Sequence, residues 1–264
     1  MNTNNPHITN LDYGDRGHVI VTTDSSAMAQ RAADLILSHS IQARDQNRIA
    51  SIALSGGSTP KAMGELLATE PLRSEVAWNH LRIFWGDERW VPLSDPESNA
   101  GEARRGYLDA VTIPTENVIP FETEHLTPKE SASKLESMIR MHLSGDPTPR
   151  FDLILLGMGG DGHTASLFPD TEAIQEHHDL VVSHLIEKLS SIRLTFTPAL
   201  INAAKNVVFL VGGTGKADML EQVLDGGIDV DRLPSQVVRP TNGTLTWIVD
   251  RAAAAELERF GVDV

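Results

Sequence analysis

The chain has 264 residues, 41% hydrophobic and 22% charged, which is the balance of a globular protein with a sizeable core. Acidic residues number 36 against 22 basic, and the formal net charge of -14 opposes binding to nucleic acid or anionic lipid, so neither a nucleic-acid nor a membrane partner is expected. There is no cysteine, which excludes disulfides and thiol chemistry and fits a reducing cytoplasm, the expected location.

No apolar run approaches the ~18 residues of a membrane span. The opening Met1-Asn2-Thr3-Asn4-Asn5-Pro6 lacks the basic and apolar regions of a secretory signal. Strand and helix patterns then alternate along the chain. Residues 18–22 read as a strand and 25–43 as a long amphipathic helix with Asp24 at its N-cap. A second strand, 49–54, runs into Ser55-Gly56-Gly57-Ser58-Thr59-Pro60 and a helix to about residue 68. There Thr59 is the expected N-cap and Pro60 the first helical residue.

A third strand spans 81–85. Thr127-Pro128-Lys129-Glu130 has the form of a capping box and opens a helix to residue 142. Ser144-Gly145-Asp146-Pro147-Thr148-Pro149 is a surface loop, because the same alternation resumes beyond it. The apolar run 151–156 is the expected central strand. Arg193-Leu194-Thr195-Phe196-Thr197 alternates as a strand, 207–211 is another, followed by a helix over 216–224. The last strand is 245–249, before an Ala-rich helix over 252–259. The expectation is one α/β domain over 1–264, a mostly parallel sheet covered by helices on both faces.

Chemistry is concentrated in the loops after the strands. Gly157-Met158-Gly159-Gly160-Asp161-Gly162-His163-Thr164 leaves a buried strand and presents Asp161 and His163 at its carboxyl end, where open α/β sheets bind ligands. A His two residues from a carboxylate is there a candidate general base; a glycine-rich connection with an incidental His is the plain alternative. The 55–60 loop combines close backbone approach with the free N–H groups and dipole of a helix start, as phosphate sites do.

Val211-Gly212-Gly213-Thr214-Gly215-Lys216 imitates a P-loop but lacks its first glycine and its Ser/Thr. Lys216 is opposed by the dipole of the helix it starts, so either a phosphate partner or plain solvation explains it. Trp85-Gly86-Asp87-Glu88-Arg89-Trp90 sets three charges between tryptophans, and Arg89 could clasp a carboxylate or phosphate from a partly enclosed site. Residues 157–162 formally satisfy G-x-G-x-x-G, yet Pro169 cuts short any following helix, so no dinucleotide site is expected and the fold is Rossmann-like without one. The ten scattered His residues form no metal signature, and no serine-nucleophile elbow occurs.

Taken together, Leu54 to Pro60, Trp85 to Arg89 with Ser98-Asn99, Phe151 to Gly159 running into Asp161-Gly162-His163-Thr164-Ala165-Ser166-Leu167-Phe168-Pro169, Arg193 to Phe196, Gly215-Lys216-Ala217 and Trp247 to Asp250 resemble the 6-phosphogluconolactonase family over nearly the whole chain. Gly160 departs from a common Pro, and Lys188-Leu189-Ser190 from a Pro-rich approach to Arg193. The resemblance implies hydrolysis of a 6-phosphorylated sugar lactone in the pentose phosphate pathway, with no cofactor and no metal.

His163 would be the base, Asp161 its support, and Arg89 or the N–H groups near Gly159 and Gly162 the oxyanion partners. Gly56, Gly57, Ser58, Thr59, Arg193 and Lys216 would hold the phosphate, with Asp87 among the other substrate contacts. The implied partner is the small-molecule lactone, for a monomer or weak homo-oligomer. The related glucosamine-6-phosphate deaminase/isomerases carry Asp-Glu-Tyr where Asp87-Glu88-Arg89 stands and Asn-Glu-Pro near Phe168. A non-catalytic sugar-phosphate sensor on the same fold is the remaining alternative.

Overall fold

Strands buried at every position, such as those at residues 50–54 and 153–156, have to lie inside a sheet covered on both faces. The computed structural model, which describes residues 9–143 and 147–260, puts them there. Its strands are β1 (Thr9–Asp12), β2 (His18–Thr22), β3 (Ala50–Leu54), β4 (Leu81–Trp85), β5 (Asp87–Arg89), β6 (Leu153–Leu156), β7 (Val181–Ile186), β8 (Ser191–Phe196), β9 (Asn206–Val211) and β10 (Thr244–Asp250). The helices are α1 (Ser25–Asp45), α2 (Ser58–Leu67), α3 (Leu72–Glu75), α4 (Asn99–Gly106), α5 (Pro128–His142), α6 (Pro198–Ala203) and α7 (Ala217–Leu224).

Seven strands form one sheet in the order β1-β2-β10-β9-β6-β3-β4, parallel throughout except for β1, which pairs antiparallel with β2. The path β2→β3→β4 runs one way across this sheet and β4→β6→β9→β10 runs back. With right-handed crossovers, α1 and α2 therefore cover one face and α5 and α7 the other. Where the chain leaves β4, Gly86 donates its N–H to the Leu54 carbonyl and accepts from Phe196 N–H, both at 2.8 Å. That joint starts a second, antiparallel sheet, β5-β8-β7. Phe151 links the two sheets, with ring centroids 5.2 Å from Phe84 and 5.3 Å from Phe196.

The fold agrees with the α/β expectation and corrects several local readings. Helix α2 starts at Ser58 with Gly57 as N-cap, so Thr59 is not the cap and Pro60 is not the first helical residue. The positive φ of Gly57, 111°, turns the chain directly into the helix. Lys216 closes a 3-10 turn, Thr214–Lys216, before α7. Strand β9, not the strand of residues 153–156, lies in the middle of the order. The Ala-rich run 252–259 is a series of turns and not a helix. Asp250 claims the Ala253 N–H at 2.8 Å with the same carboxylate that holds Gly213 N–H at 3.0 Å, so that end of the chain is tied to the β9 loop. Strands β1, β5 and β7 were not expected. The N-terminal segment Met1 to Pro6 and loop residues Ser144 to Asp146 lie outside the described residues.

At the amino end of β6, Asp152 accepts from Ser51 N–H at 2.9 Å and pairs with Lys205 at 2.9 Å and Arg48 at 3.0 Å. Burial works to raise its pKa, but the Lys205 and Ser51 hydrogen bonds and the two cations together hold it below the ordinary carboxylate range. Asp152→Ala strands these donors and should lower the unfolding free energy in urea by about 3 kcal/mol. Because the folded value is depressed, this stability is present above the ordinary Asp range and is lost as pH falls through the folded value, so wild type and variant should converge in acid.

Candidate active site

All interior strands of the large sheet end on one edge, and the loops after β3, β4, β6 and β9 meet there. After β3, Gly56 lies so close to Asn99 that a Cβ would sit 1.9 Å from its Oδ1. Gly57 then makes the turn, and the first turn of α2, with Ser58 and Thr59, has no side-chain cap. Its amide groups and positive dipole are open to an anion.

The loop after β6 is braced from within. Thr164 Oγ1 donates to the Gly157 carbonyl at 2.8 Å, and Gly159 N–H donates to the His163 carbonyl at 2.8 Å. A Cβ at Gly159 would meet His163 Nδ1 at 2.0 Å, so only glycine lets the ring sit where it does. His163 Nδ1 lies 2.5 Å from Asp161 Oδ1, and the imidazole stacks on Phe168 at 4.0 Å between centroids and 25° between planes. The other oxygen of Asp161 takes the Lys188 ammonium. Burial alone would raise the pKa of Asp161; hydrogen bonds from Lys188 and His163 outweigh it and hold the carboxyl far below its usual range. Beneath the loop, buried Ser235 donates N–H at 2.9 Å and Oγ–H at 2.8 Å to the Gly162 carbonyl.

Ala165, at φ 48°, turns the loop onto the small sheet. Ser166 donates its hydroxyl to Asp87 Oδ2 at 2.8 Å and its N–H to Thr195 Oγ1 at 3.2 Å, while its carbonyl accepts from His184 Nε2 at 2.8 Å. Burial pushes the His184 pKa down, against the Ser166 hydrogen bond, which keeps the ring a neutral N–H donor. These partners come from β5, β8 and β7 in turn. Asn99 Nδ2 also reaches the Asp87 carbonyl at 3.0 Å, so Asp87 connects the His163 loop, through Ser166, with the loop at Gly56.

Register pairs Arg89 with Arg193 across β5 and β8, so both guanidinium groups leave the same face. Like charges directly opposite are destabilising. Arg89 Nη1 donates to the Glu97 carbonyl at 2.5 Å, whereas Arg193 Nε and Nη1 are buried without a partner. Burial first, and then the Arg89 charge, lower the pKa of Arg193. An anion between the two strands would satisfy both defects.

Glu88, fully buried on the other face, accepts from the N–H groups of Arg89 at 2.8 Å, Asn99 at 2.8 Å and Ala100 at 2.9 Å, and from Ser98 Oγ at 3.2 Å. Burial raises its pKa against those donors. It fixes the start of α4 rather than facing the edge.

His163, Asp161, Gly159 and Gly162 therefore form one unit, with Asp87 bonded to it through Ser166. Arg89 and Arg193 form a second unit. Lys216 reaches the same edge, but on the β9 side of β6, while Gly56 to Thr59 lie on the β3 side, about 10 Å away by strand spacing. Lys188, Ser166, Ser235 and His184 were not anticipated as site residues. Among the described residues no helix is long and apolar enough to cross a membrane, and no three His, Asp or Glu cluster as metal ligands.

Comparison with known proteins gives the family and the fold. The chain belongs to the family described as glucosamine-6-phosphate isomerases/6-phosphogluconolactonase, which matches residues 23–247. Within it, the 6-phosphogluconolactonase of Nostoc sp. is 42% identical over 241 residues, 90% of this chain and 98% of that one. The structure of 6-phosphogluconolactonase from Trypanosoma brucei superposes with a TM-score of 0.80 at 29% identity, covering 90% and 98% of the two chains. A monomeric glucosamine-6-phosphate deaminase shares the fold, with a TM-score of 0.75 at 20% identity over 90% of this chain and 99% of that one.

The loop geometry gives a direct test. Gly159→Ala should displace the His163 ring, visible in a crystal structure and as a shifted imidazole resonance. At Gly160 a Cβ meets nothing within 4 Å, so Gly160→Ala should leave the ring in place. Equal effects from the two substitutions would contradict the close-packing argument.

Proposed function

We propose that the protein hydrolyses 6-phospho-D-glucono-1,5-lactone to 6-phospho-D-gluconate, a step of the oxidative pentose phosphate pathway, with His163 as general base. The observation that carries this reading is the His163–Asp161 pair. A proton on Nδ1 donated to Asp161 leaves Nε2 with a free lone pair, on an edge that also offers an uncapped helix start and a guanidinium without partners. The substrate is suggested by the relatives named 6-phosphogluconolactonase.

In this mechanism the phosphate binds Gly56, Gly57, Ser58 and Thr59 at the start of α2, with Arg193 and, from the opposite flank, Lys216 supplying positive charge. Bound far from the reacting carbon, it orients the ring. His163 Nε2 takes a proton from water as the oxygen attacks the lactone carbonyl. Arg89, or the N–H groups near Gly159 and Gly162, stabilise the oxyanion. Collapse breaks the bond between that carbon and the ring oxygen, which receives the proton from His163, and the new carboxylic acid ionises to release one proton. No metal or cofactor enters these steps. Asp87, already bonded to Ser166 and Asn99, contributes by holding the substrate cleft together. The reading carries with it a cytoplasmic enzyme, monomeric or weakly self-associating.

Phe168 weighs against deaminase chemistry. It stacks on His163 at the place where the deaminase pattern has a carboxylate, and Glu88 is consumed by backbone donors. A sensor would have no use for a braced His–Asp pair.

The test is turnover of freshly generated lactone, corrected for spontaneous opening. His163→Ala should lower kcat by roughly 10²–10⁴-fold with little change in KM. Arg193→Ala should act mainly on KM, and unphosphorylated gluconolactone should be a poor substrate. Near-normal turnover by His163→Ala would remove the base from the mechanism, and equal efficiency on both lactones would remove the phosphate site. With glucosamine 6-phosphate no ammonia should be released; sustained ammonia release would overturn the assignment.

A further inference from the structure

Lys188 lies on the short 3-10 turn Glu187–Leu189 that joins β7 to β8, and nothing in the mechanism above uses it. Ser190, at φ 47°, reverses the chain there in a left-handed conformation uncommon for a residue with a side chain. What the turn achieves is to bring the Lys188 ammonium back over the loop after β6. There it touches both supports of His163, pairing with Asp161 Oδ2 and standing 4.9 Å from the centroid of Phe168. Phe168 carries the imidazole and Asp161 receives its Nδ1.

We propose that Lys188 is a positioning residue of the catalytic machinery, a third member behind Asp161 and His163 that fixes the carboxylate and, through it, the tautomer and orientation of the imidazole. This inference rests on the reading of His163 as general base. With Oδ2 held by Lys188 and Oδ1 by Nδ1, the carboxylate has no freedom to rotate, to accept the proton itself or to release the ring. In that state the proton stays on Nδ1, and Nε2 faces the substrate as the acceptor. Without Lys188, Asp161 Oδ2 loses its partner and only Oδ1 stays held, by the Nδ1 and N–H of His163, so the carboxylate can turn and the ring can leave its stacking position. The ammonium also lies over the Phe168 ring, an attraction that favours keeping the aromatic plane under the imidazole.

The placement has a second consequence. Lys188 and Arg193 sit on one hairpin, β7–β8, whose six paired positions run from Val181 opposite Phe196 to Ile186 opposite Ser191. The hairpin that offers an unpartnered guanidinium to an anion therefore also holds the carboxylate behind the base. Binding at Arg193 and orientation at His163 depend on the same rigid element.

The experiment compares Lys188→Met, which keeps the apolar stem, with Lys188→Arg, which keeps the charge, in the full chain. His163→Ala is measured alongside. Half of the Lys188 side chain is exposed, so neither substitution should disturb folding. Lys188→Met should lower kcat for the phosphorylated lactone by about 10–100-fold, with KM within about twofold of wild type, and Lys188→Arg should recover most of the loss. Nitrogen-15 spectra of the His163 ring supply an independent readout. Wild type and Lys188→Arg should show a proton held on Nδ1, whereas Lys188→Met should show exchange between the two ring nitrogens.

A Lys188→Met enzyme with wild-type kcat, beside an inactive His163→Ala, would overturn this inference alone. A rise in KM with kcat unchanged would do the same, by making Lys188 a substrate contact. An active His163→Ala enzyme would instead bring down the general-base reading on which it rests.

Discussion

Ser166 is the residue on which the reactive end of this molecule hangs. Its hydroxyl, N–H and carbonyl are taken respectively by Asp87, Thr195 and His184, one from each strand of the antiparallel sheet. Three directed bonds from three strands leave the segment that follows His163 a single way to lie. Ser235 closes it from beneath at Gly162. The parallel sheet alone would deliver a mobile glycine loop to its carboxyl edge. The small sheet ties that loop down through Ser166, as the proposed general base requires.

The second constraint is electrostatic. A chain of net charge -14 repels an anionic substrate at long range, so capture has to be local. In the proposed mechanism the groups available for this are the uncapped amides at the start of α2 and Arg193, which stands opposite Arg89. At the amino end of β6, by contrast, the Asp152 carboxylate takes two cations, Arg48 and Lys205. A buried guanidinium left without a partner, opposite a second one, is a local defect of the free protein. Such local instability is what functional sites retain at the expense of the free protein.

The inner strands were legible because burial on both faces requires apolar runs, and 50–54, 153–156 and 207–211 all have them. The capping box at Thr127 was legible for a similarly local reason, since its donors and acceptors lie three residues apart. Strand β5 was not legible: it is Asp87-Glu88-Arg89, and its pairing with β8 is set by the joint at Gly86. The Ala-rich end was misread because helix propensity is a weak prior: Asp250 caps the Ala253 N–H as at a helix start, but the bonds that follow, Leu257 N–H to Ala254 and Phe260 N–H to Leu257, close separate turns. In the candidate site, the contact between Asp161 and His163 was legible because the two stand two residues apart in a glycine loop. Lys188 is 27 residues from Asp161 and reaches it only through a hairpin the sequence did not reveal. Asp87 was expected at the substrate; the structure ties its carboxylate to Ser166, a contact spanning 79 residues.

The central claim is that one bound molecule spans the helix start at Gly57 and the imidazole of His163. A crystal structure with 6-phosphogluconate tests it most directly. The phosphate should lie on the amides of Ser58 and Thr59 with the Arg193 guanidinium against it, and a carboxylate oxygen should come within about 2.6–3.2 Å of His163 Nε2, directly or through one water. A phosphate bound away from both Ser58 and Arg193, or a carboxylate that leaves Nε2 without a contact, would contradict the account.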